Sequence, residues 1–263
     1  MEYTTLLISS LILYAITAFI LFFNKIKNKN LASFTLISAL IAHASLIYIT
    51  IILNNINLNF ANSLLLLSWV TVLFYYLINR KMQFIGLENL TITPAILIIL
   101  CHPLLPNDQY LDIQMSLNAI VHIIIAILSY SLLTIGALFS IFILLFEKNL
   151  TKQDKNIDKL TSNFSLLKME DILFKMYWLG FILLSITLFS GLLFSSEIFG
   201  SSLLWSHKTV FSLIAWVIYG AMLIGRFKYG WRGEKAVIIS LIAFAFLLLS
   251  YFGTKFVLEI LLS

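Results

Sequence analysis

The chain has 263 residues, 61% of them hydrophobic and only 11% charged, which excludes an ordinary soluble domain. Its net charge of +5 comes from 17 Lys and Arg against 12 Asp and Glu. Those bases are divided among four loops, so no continuous basic face for nucleic acid is expected.

Several apolar runs approach the roughly 20 residues that cross a bilayer. They predict eight helical spans, at about 5–23, 31–53, 63–79, 90–101, 117–146, 172–194, 207–225 and 236–258. The expected fold is all-α: a polytopic membrane bundle, with residues 1–263 forming a single integral-membrane domain. The first span is followed, not preceded, by its positive cluster, so it reads as a retained helix and not a cleaved signal. The second carries His43 mid-way, among the small neighbours Ser38, Ala39, Ala42 and Ser45. Small residues let another helix or a flat ligand approach closely. The segment Asn54 to Asn59 reads as irregular backbone. The fourth span is the weakest, because Glu88, Asn89 and Pro94 interrupt it, and it ends at Cys101 and His102.

The fifth span is long enough to tilt strongly or project into water, at roughly 45 Å as a helix. His122 lies near its start. Ala126, Ser129, Leu133, Gly136 and Ser140 follow at helical spacing. That stripe makes room for a porphyrin or forms a tight helix seam. Residues 147–171 read as a charged connector, with a short interfacial helix as the alternative. The seventh span opens on His207 and Lys208.

Basic residues set the orientation. One set of loops carries 15 of the 17, from Lys25 through Lys81 and Lys148 to Lys235. Only Lys208 and Lys255 fall on the other side. The first side is therefore expected to be cytoplasmic, with both termini outside, in a bacterial inner membrane. All four histidines then lie in the outer half: His43, His102, His122 and His207. An imidazole near lipid is costly, so four on one side point to a site. Zinc favours clustered imidazoles with carboxylate or thiolate support. These four are on different spans, whereas haem needs only one or two axial imidazoles. His122 is the first candidate, with His207 or His43 as its partner and Lys208 beside a propionate. His102, before Pro103, reads as a rim residue and a weaker candidate. Cys101 is alone and no Cys-x-x-Cys-His occurs, so any haem is expected to be non-covalent haem b. No catalytic residues are assigned: Asp108, Asp112 and Glu197 read as solvated loop carboxylates, and no nucleophile with a base is legible.

Three stretches carry a family resemblance. The first is Asn118 to His122 with Ser129-Tyr130. The second is Ser190-Gly191 through Phe199-Gly200, Trp205-Ser206-His207-Lys208 and Trp216. The third is Gly230-Trp231-Arg232-Gly233-Glu234-Lys235-Ala236, then Tyr251-Phe252-Gly253. Over about residues 115–258 the chain resembles the cytochrome c assembly superfamily, which includes CcsA, CcmC and HemX-like proteins. It is most similar to the YpjD-like group, which has this length and span number. The resemblance implies haem handling, with His122 at a family histidine position. It also implies a haem-handling segment around Trp205. That segment departs from the synthase pattern, having lost two tryptophans and the acid, while Ile224 stands where the family has another histidine. A haem-binding protein of the cytochrome c assembly type is the expected function, with lipid, haem and other assembly or transport proteins as partners. A haem-free accessory or transporter-like subunit linked to cation efflux, and a cytochrome b electron carrier, stay open as alternatives.

Overall fold

A computed structural model describes residues 2–23, 29–53, 57–82, 86–105, 116–150, 166–193 and 207–257. Among them are eight helices long and apolar enough to span a bilayer, and no strands. They are α1 (Glu2–Phe23), α2 (Lys29–Ile47), α3 (Phe60–Met82), α4 (Leu87–Cys101), α5 (Leu117–Leu150), α6 (Leu166–Leu193), α7 (His207–Tyr229) and α8 (Gly233–Leu248). Two helices continue as π-helical turns: α2 through Tyr48–Ile52 and α8 through Leu249–Gly253. Large apolar side chains such as Phe19, Phe34, Leu97 and Phe189 point outward, more than half exposed. Helices that are apolar all round with such outer faces belong in lipid.

The chain forms two compact units, residues 1–113 with 255–263, and residues 114–254. In the N-terminal unit α1 packs on α2, α2 on α3, α3 on α4, and α4 on α1. The C-terminal unit repeats that neighbour order with α5, α6, α7 and α8. Each is thus a four-helix ring of consecutive neighbours, a recurrence the sequence does not display.

Polar side chains decide where several helices begin. Asn59 caps α3, its Oδ1 accepting the Asn62 N–H at 2.8 Å. The asparagine-rich stretch therefore starts α3 at Phe60, three residues ahead of the hydropathy signal, and buries Asn57 and Asn59. Ser116 caps α5 in the same way through the Ala119 N–H. α6 begins at Leu166, inside the stretch expected to be a loop. Its charges are tolerated because they are paired. Lys175 meets Asp171 at 2.7 Å on the surface, and Glu170 turns inward to Arg226 at 3.5 Å. Residues 151–165, where an interfacial helix was an alternative, lie outside the described residues.

The small stripe on α5 forms the seam with α6. Ser129 Oγ donates to the Gly180 carbonyl at 3.1 Å, and Ser140 Oγ meets the Tyr177 hydroxyl at 2.9 Å. A Cβ added at Gly180 would come within 2.6 Å of Leu133, and one at Gly136 within 2.9 Å of Tyr177. Both glycines permit an approach that alanine would obstruct. Below His122 the stripe is filled by protein.

The Gly-Trp-Arg-Gly motif is a helix-to-helix corner. Gly230 takes φ +66° and its N–H returns to the Arg226 carbonyl, ending α7 with a left-handed residue. Trp231 folds back onto Gly225, where any Cβ would overlap the indole ring. Gly233, at φ +60°, donates its N–H to Glu170 Oε1 at 2.7 Å. Lys235 Nζ lies 4.1 Å from the Trp231 ring centroid.

Candidate functional site

Two of the four histidines belong to the N-terminal unit, and both are enclosed. His102 is only 1% exposed, so it is a core residue and not the rim residue its position beside Pro103 suggests. Its tautomer follows from its neighbours. Asn62 Nδ2 donates to the carbonyls of Thr50 and Asn57, at 3.3 and 3.0 Å, so its Oδ1 is the acceptor that faces His102. His102 Nε2–H donates there at 2.9 Å, and Nδ1 accepts from the Tyr3 hydroxyl at 2.8 Å. Both ring nitrogens are engaged, which leaves no lone pair for a metal.

Removing Asn62 strands the His102 N–H and takes a bond from the Thr50 and Asn57 carbonyls. Asn62→Leu is expected to destabilise the protein by about 2–3 kcal/mol. The midpoint of detergent-solubilised thermal unfolding should fall accordingly, and an unchanged midpoint would count against this network.

His43 is fully buried on α2, and its Nδ1 meets the Tyr14 hydroxyl of α1 at 3.2 Å. It is a histidine bonded across helices. Its Nε2 makes no bond of good geometry among the described residues, although the Leu65 backbone of α3 and the His102 ring lie within electrostatic reach.

The C-terminal unit holds the other two histidines at one end, where α5 and α7 begin and α6 and α8 finish. His122 is half-buried on the α5–α6 seam, with Nδ1 2.8 Å from Ser190 Oγ. Ser190 also donates to the Thr187 carbonyl at 3.1 Å. A hydroxyl has one proton, and a carbonyl can only accept. Ser190 therefore spends its proton on Thr187 and accepts from His122. The proton of the imidazole is on Nδ1, and Nε2 carries the lone pair. Among the described residues nothing bonds that Nε2.

Lys208 lies within electrostatic reach of His122, and its Nζ is 5.0 Å from the Tyr251 ring centroid. An ordered chain of hydroxyls fixes this corner. Ser212 Oγ donates to the Lys208 carbonyl at 2.8 Å. Toward Ser250 it must then accept, so Ser250 donates to Ser212 and accepts from the Tyr130 hydroxyl at 3.1 Å. Tyr130, Tyr251 and Lys208 come from three of the stretches quoted above, more than 40 residues apart in each case. They meet here. Trp216 supports α7 from the side, donating its indole N–H to Ser185 Oγ at 2.8 Å. His207 is the exposed first residue of α7, beside Lys208. Trp205 and the rest of the segment 194–206 lie outside the described residues.

The residues of this corner fit a haem. They supply one imidazole with its tautomer set and Nε2 open, a second imidazole at the same end, and an ammonium close by for a propionate. Among the described residues no three His, Cys, Asp or Glu side chains gather as a metal-ion cluster. Sequence reading did not single out Ser190 as an orienting group or Asn62 as a histidine partner. The adjacent Ser190-Gly191 pair was visible only as part of a motif.

A family model described as "Cytochrome C assembly protein" matches residues 57–262. That reaches well beyond 115–258, taking in α3 and α4. The cytochrome c biogenesis protein CcsA of Prochlorococcus marinus (strain MIT 9301) is 25% identical over 222 residues, covering 75% of this chain and 72% of that protein. CcsA of Chlamydomonas reinhardtii is 30% identical over 136 residues, covering 52% of this chain but only 37% of the algal protein. The inner membrane protein YpjD of Escherichia coli (strain K12) is 29% identical over 156 residues, covering 58% of this chain and 57% of YpjD.

Proposed function

The chain belongs to the cytochrome C assembly protein family, and on that premise we propose that it binds haem b through His122 in the outer half of a bacterial inner membrane. The observation that carries this reading is the His122 ring itself, with Nδ1–H held by Ser190 and Nε2 left as an open donor. A half-buried serine that fixes one nitrogen of a histidine is the outer-shell partner an axial ligand needs. Haem, when bound, supplies an iron that takes axial nitrogen ligands and changes between ferrous and ferric states.

His207 is the second ligand we favour. It opens α7 at the end of the unit that holds His122, and it neighbours Lys208. His43 is the less suited partner, because the core of the N-terminal unit encloses it. Lys208 is the cation for a propionate, held over the Tyr251 ring and anchored through its own carbonyl. The loop charges support an outside location for this end, with both termini outside. The relatives named for cytochrome c biogenesis support a place in that process, with other assembly proteins as partners. Neither histidine of the C-terminal unit is at its other end, which disfavours a bis-histidine electron wire across the bilayer.

The test is the pyridine haemochrome spectrum of detergent-purified protein from haem-replete cells. A Soret band and a b-type haemochrome near one haem per chain are expected. A clean, folded preparation with no Soret band, before and after incubation with hemin, overturns the reading in favour of a haem-free accessory subunit.

A further inference from the structure

We propose that Ser190, with Gly191, is the positioning pair of this site: Ser190 sets the protonation of His122, and bare Gly191 lets the Cε1 corner of the ring sit against α6. The inference rests on the haem-binding reading for its consequence, but its geometric core does not need haem.

A serine in a membrane helix ordinarily turns its hydroxyl back to its own helix. Ser9, Ser45 and Ser185 do this, donating to Leu6, Ile41 and Phe181. Ser190 does the same to Thr187, yet it differs because an imidazole from another helix lies at 2.8 Å on its acceptor side. The intrahelical bond is what makes Ser190 a one-way acceptor. Were the Ser190 proton free to turn toward His122, either nitrogen could carry the hydrogen and the ligating lone pair would be shared between two positions.

Gly191 completes the constraint by steric means. A Cβ there would lie 3.2 Å from His122 Cε1, the carbon between the two ring nitrogens, and 3.9 Å from Nε2. The ring therefore packs against bare α6 backbone. Ser190 holds Nδ1 and Gly191 admits the adjoining Cε1 corner, so the orientation of the His122 ring is set before any ligand arrives. Preorganisation of this kind raises affinity by removing an ordering cost from the binding step. A hydrogen bond from Nδ1–H also makes Nε2 a stronger donor. Ser190 is a positioning residue and touches no reacting atom.

Two measurements separate this inference from the function reading. The first is the ¹⁵N spectrum of histidine-labelled protein without haem, with His122 assigned by its loss in His122→Asn. The parent should show Nδ1 protonated and Nε2 bare at neutral pH. Ser190→Ala should show a mixture of both tautomers, and Ser190→Thr should restore the parental pattern. The second is hemin titration of the same proteins. Ser190→Ala should bind about 10- to 100-fold more weakly, and Ser190→Thr close to the parent. Gly191→Ala should weaken binding while keeping the tautomer, because it displaces the ring and leaves the hydrogen bond in reach. A parent His122 protonated on Nε2, or a Ser190→Ala protein with parental tautomer and affinity, overturns the inference. A parent that takes no haem but shows the Nδ1 tautomer overturns the function reading and leaves the positioning geometry standing. Should Ser190→Ala fail to fold, Ser190→Thr and Gly191→Ala still decide the matter.

Discussion

Glu170→Leu is expected to cost about 3–5 kcal/mol of stability, the range for removing one partner of a buried ion pair. The carboxylate is almost fully enclosed and serves two elements at once. Oε1 accepts the Gly233 N–H at 2.7 Å, and Oε2 faces the Arg226 guanidinium at 3.5 Å. Losing it strands a backbone donor at the first turn of α8 and leaves Arg226 beside apolar neighbours. Arg226 retains its place over the Phe174 ring, 4.2 Å from the centroid, and is 17% exposed near a helix end. It can therefore reach toward water more easily than Glu170 can. Arg226→Leu strands a more deeply buried charge and also loses the bond from Arg226 to the Trp231 carbonyl at 3.5 Å, so its cost should be similar. The double replacement should cost clearly less than the two singles combined, because each removes the charge the other would leave unpaired. Glu170→Gln should recover about 1 kcal/mol of the Glu170→Leu loss, since an amide oxygen still accepts from Gly233. Unfolding of the four proteins in one detergent reads these differences. Additive single effects would show that the two charges are not coupled and that each holds the corner independently.

That corner also shows which parts of the molecule were legible in the sequence. The helices were, because a run of apolar residues near bilayer length has few alternatives. Eight were expected and eight are present among the described residues. Their ends were less legible where polar residues are paired through tertiary contacts. Hydropathy starts the sixth span at 172, because Lys168, Glu170 and Asp171 look like loop. The helix begins at Leu166, since Glu170 finds Arg226 and Gly233 far along the chain. Asn57 and Asn59 look like turn formers, and they do join a turn and cap α3. Asn62 is instead the buried hub between α2, α3 and the His102 ring.

The histidines divide along the same line. Composition showed that four imidazoles share a membrane protein, and spacing showed that they are dispersed. Neither could show that His102 has both nitrogens bonded, because its partners Tyr3 and Asn62 are 99 and 40 residues away. Nor could spacing choose between a porphyrin space and a helix seam below His122. Gly136 and Gly180 decide that in favour of the seam. The resemblance supplied the position of His122, and only the fold brought Ser190 to it across 68 residues.

Among single changes at the histidines, His122→Gly should have the largest effect on haem and little effect on the fold. The ring is half-buried and bonds one serine, so its loss leaves only the Ser190 oxygen lacking a donor, and that hydroxyl is already satisfied through Thr187. Stability should fall by about 1–2 kcal/mol. Haem content, by contrast, should drop more than about tenfold, because the replaced group is itself the proposed ligand and exceeds an outer-shell partner in effect. Added imidazole should restore part of the Soret band, since the space left on the α5–α6 seam has the shape of the ring removed. His207→Ala should behave differently. His207 is exposed, so haem should be retained at lower affinity with a spectrum changed from six- to five-coordinate. His102→Leu should reverse the pattern, lowering the unfolding midpoint through loss of the Tyr3 and Asn62 bonds while the spectrum of bound haem stays parental. His43→Leu removes a fully enclosed ring bonded to Tyr14, with the Leu65 backbone close by, and is expected to leave that spectrum unchanged as well. The ranking depends on what each ring already bonds. A histidine enclosed in the core and bonded to another helix holds helices together, and a half-exposed one at the end of its unit, with one nitrogen fixed and the other open, is built to ligate. If His43→Leu or His102→Leu alters the Soret band while His122→Gly leaves it intact, the ligand belongs to the N-terminal unit and the assignment to His122 is wrong.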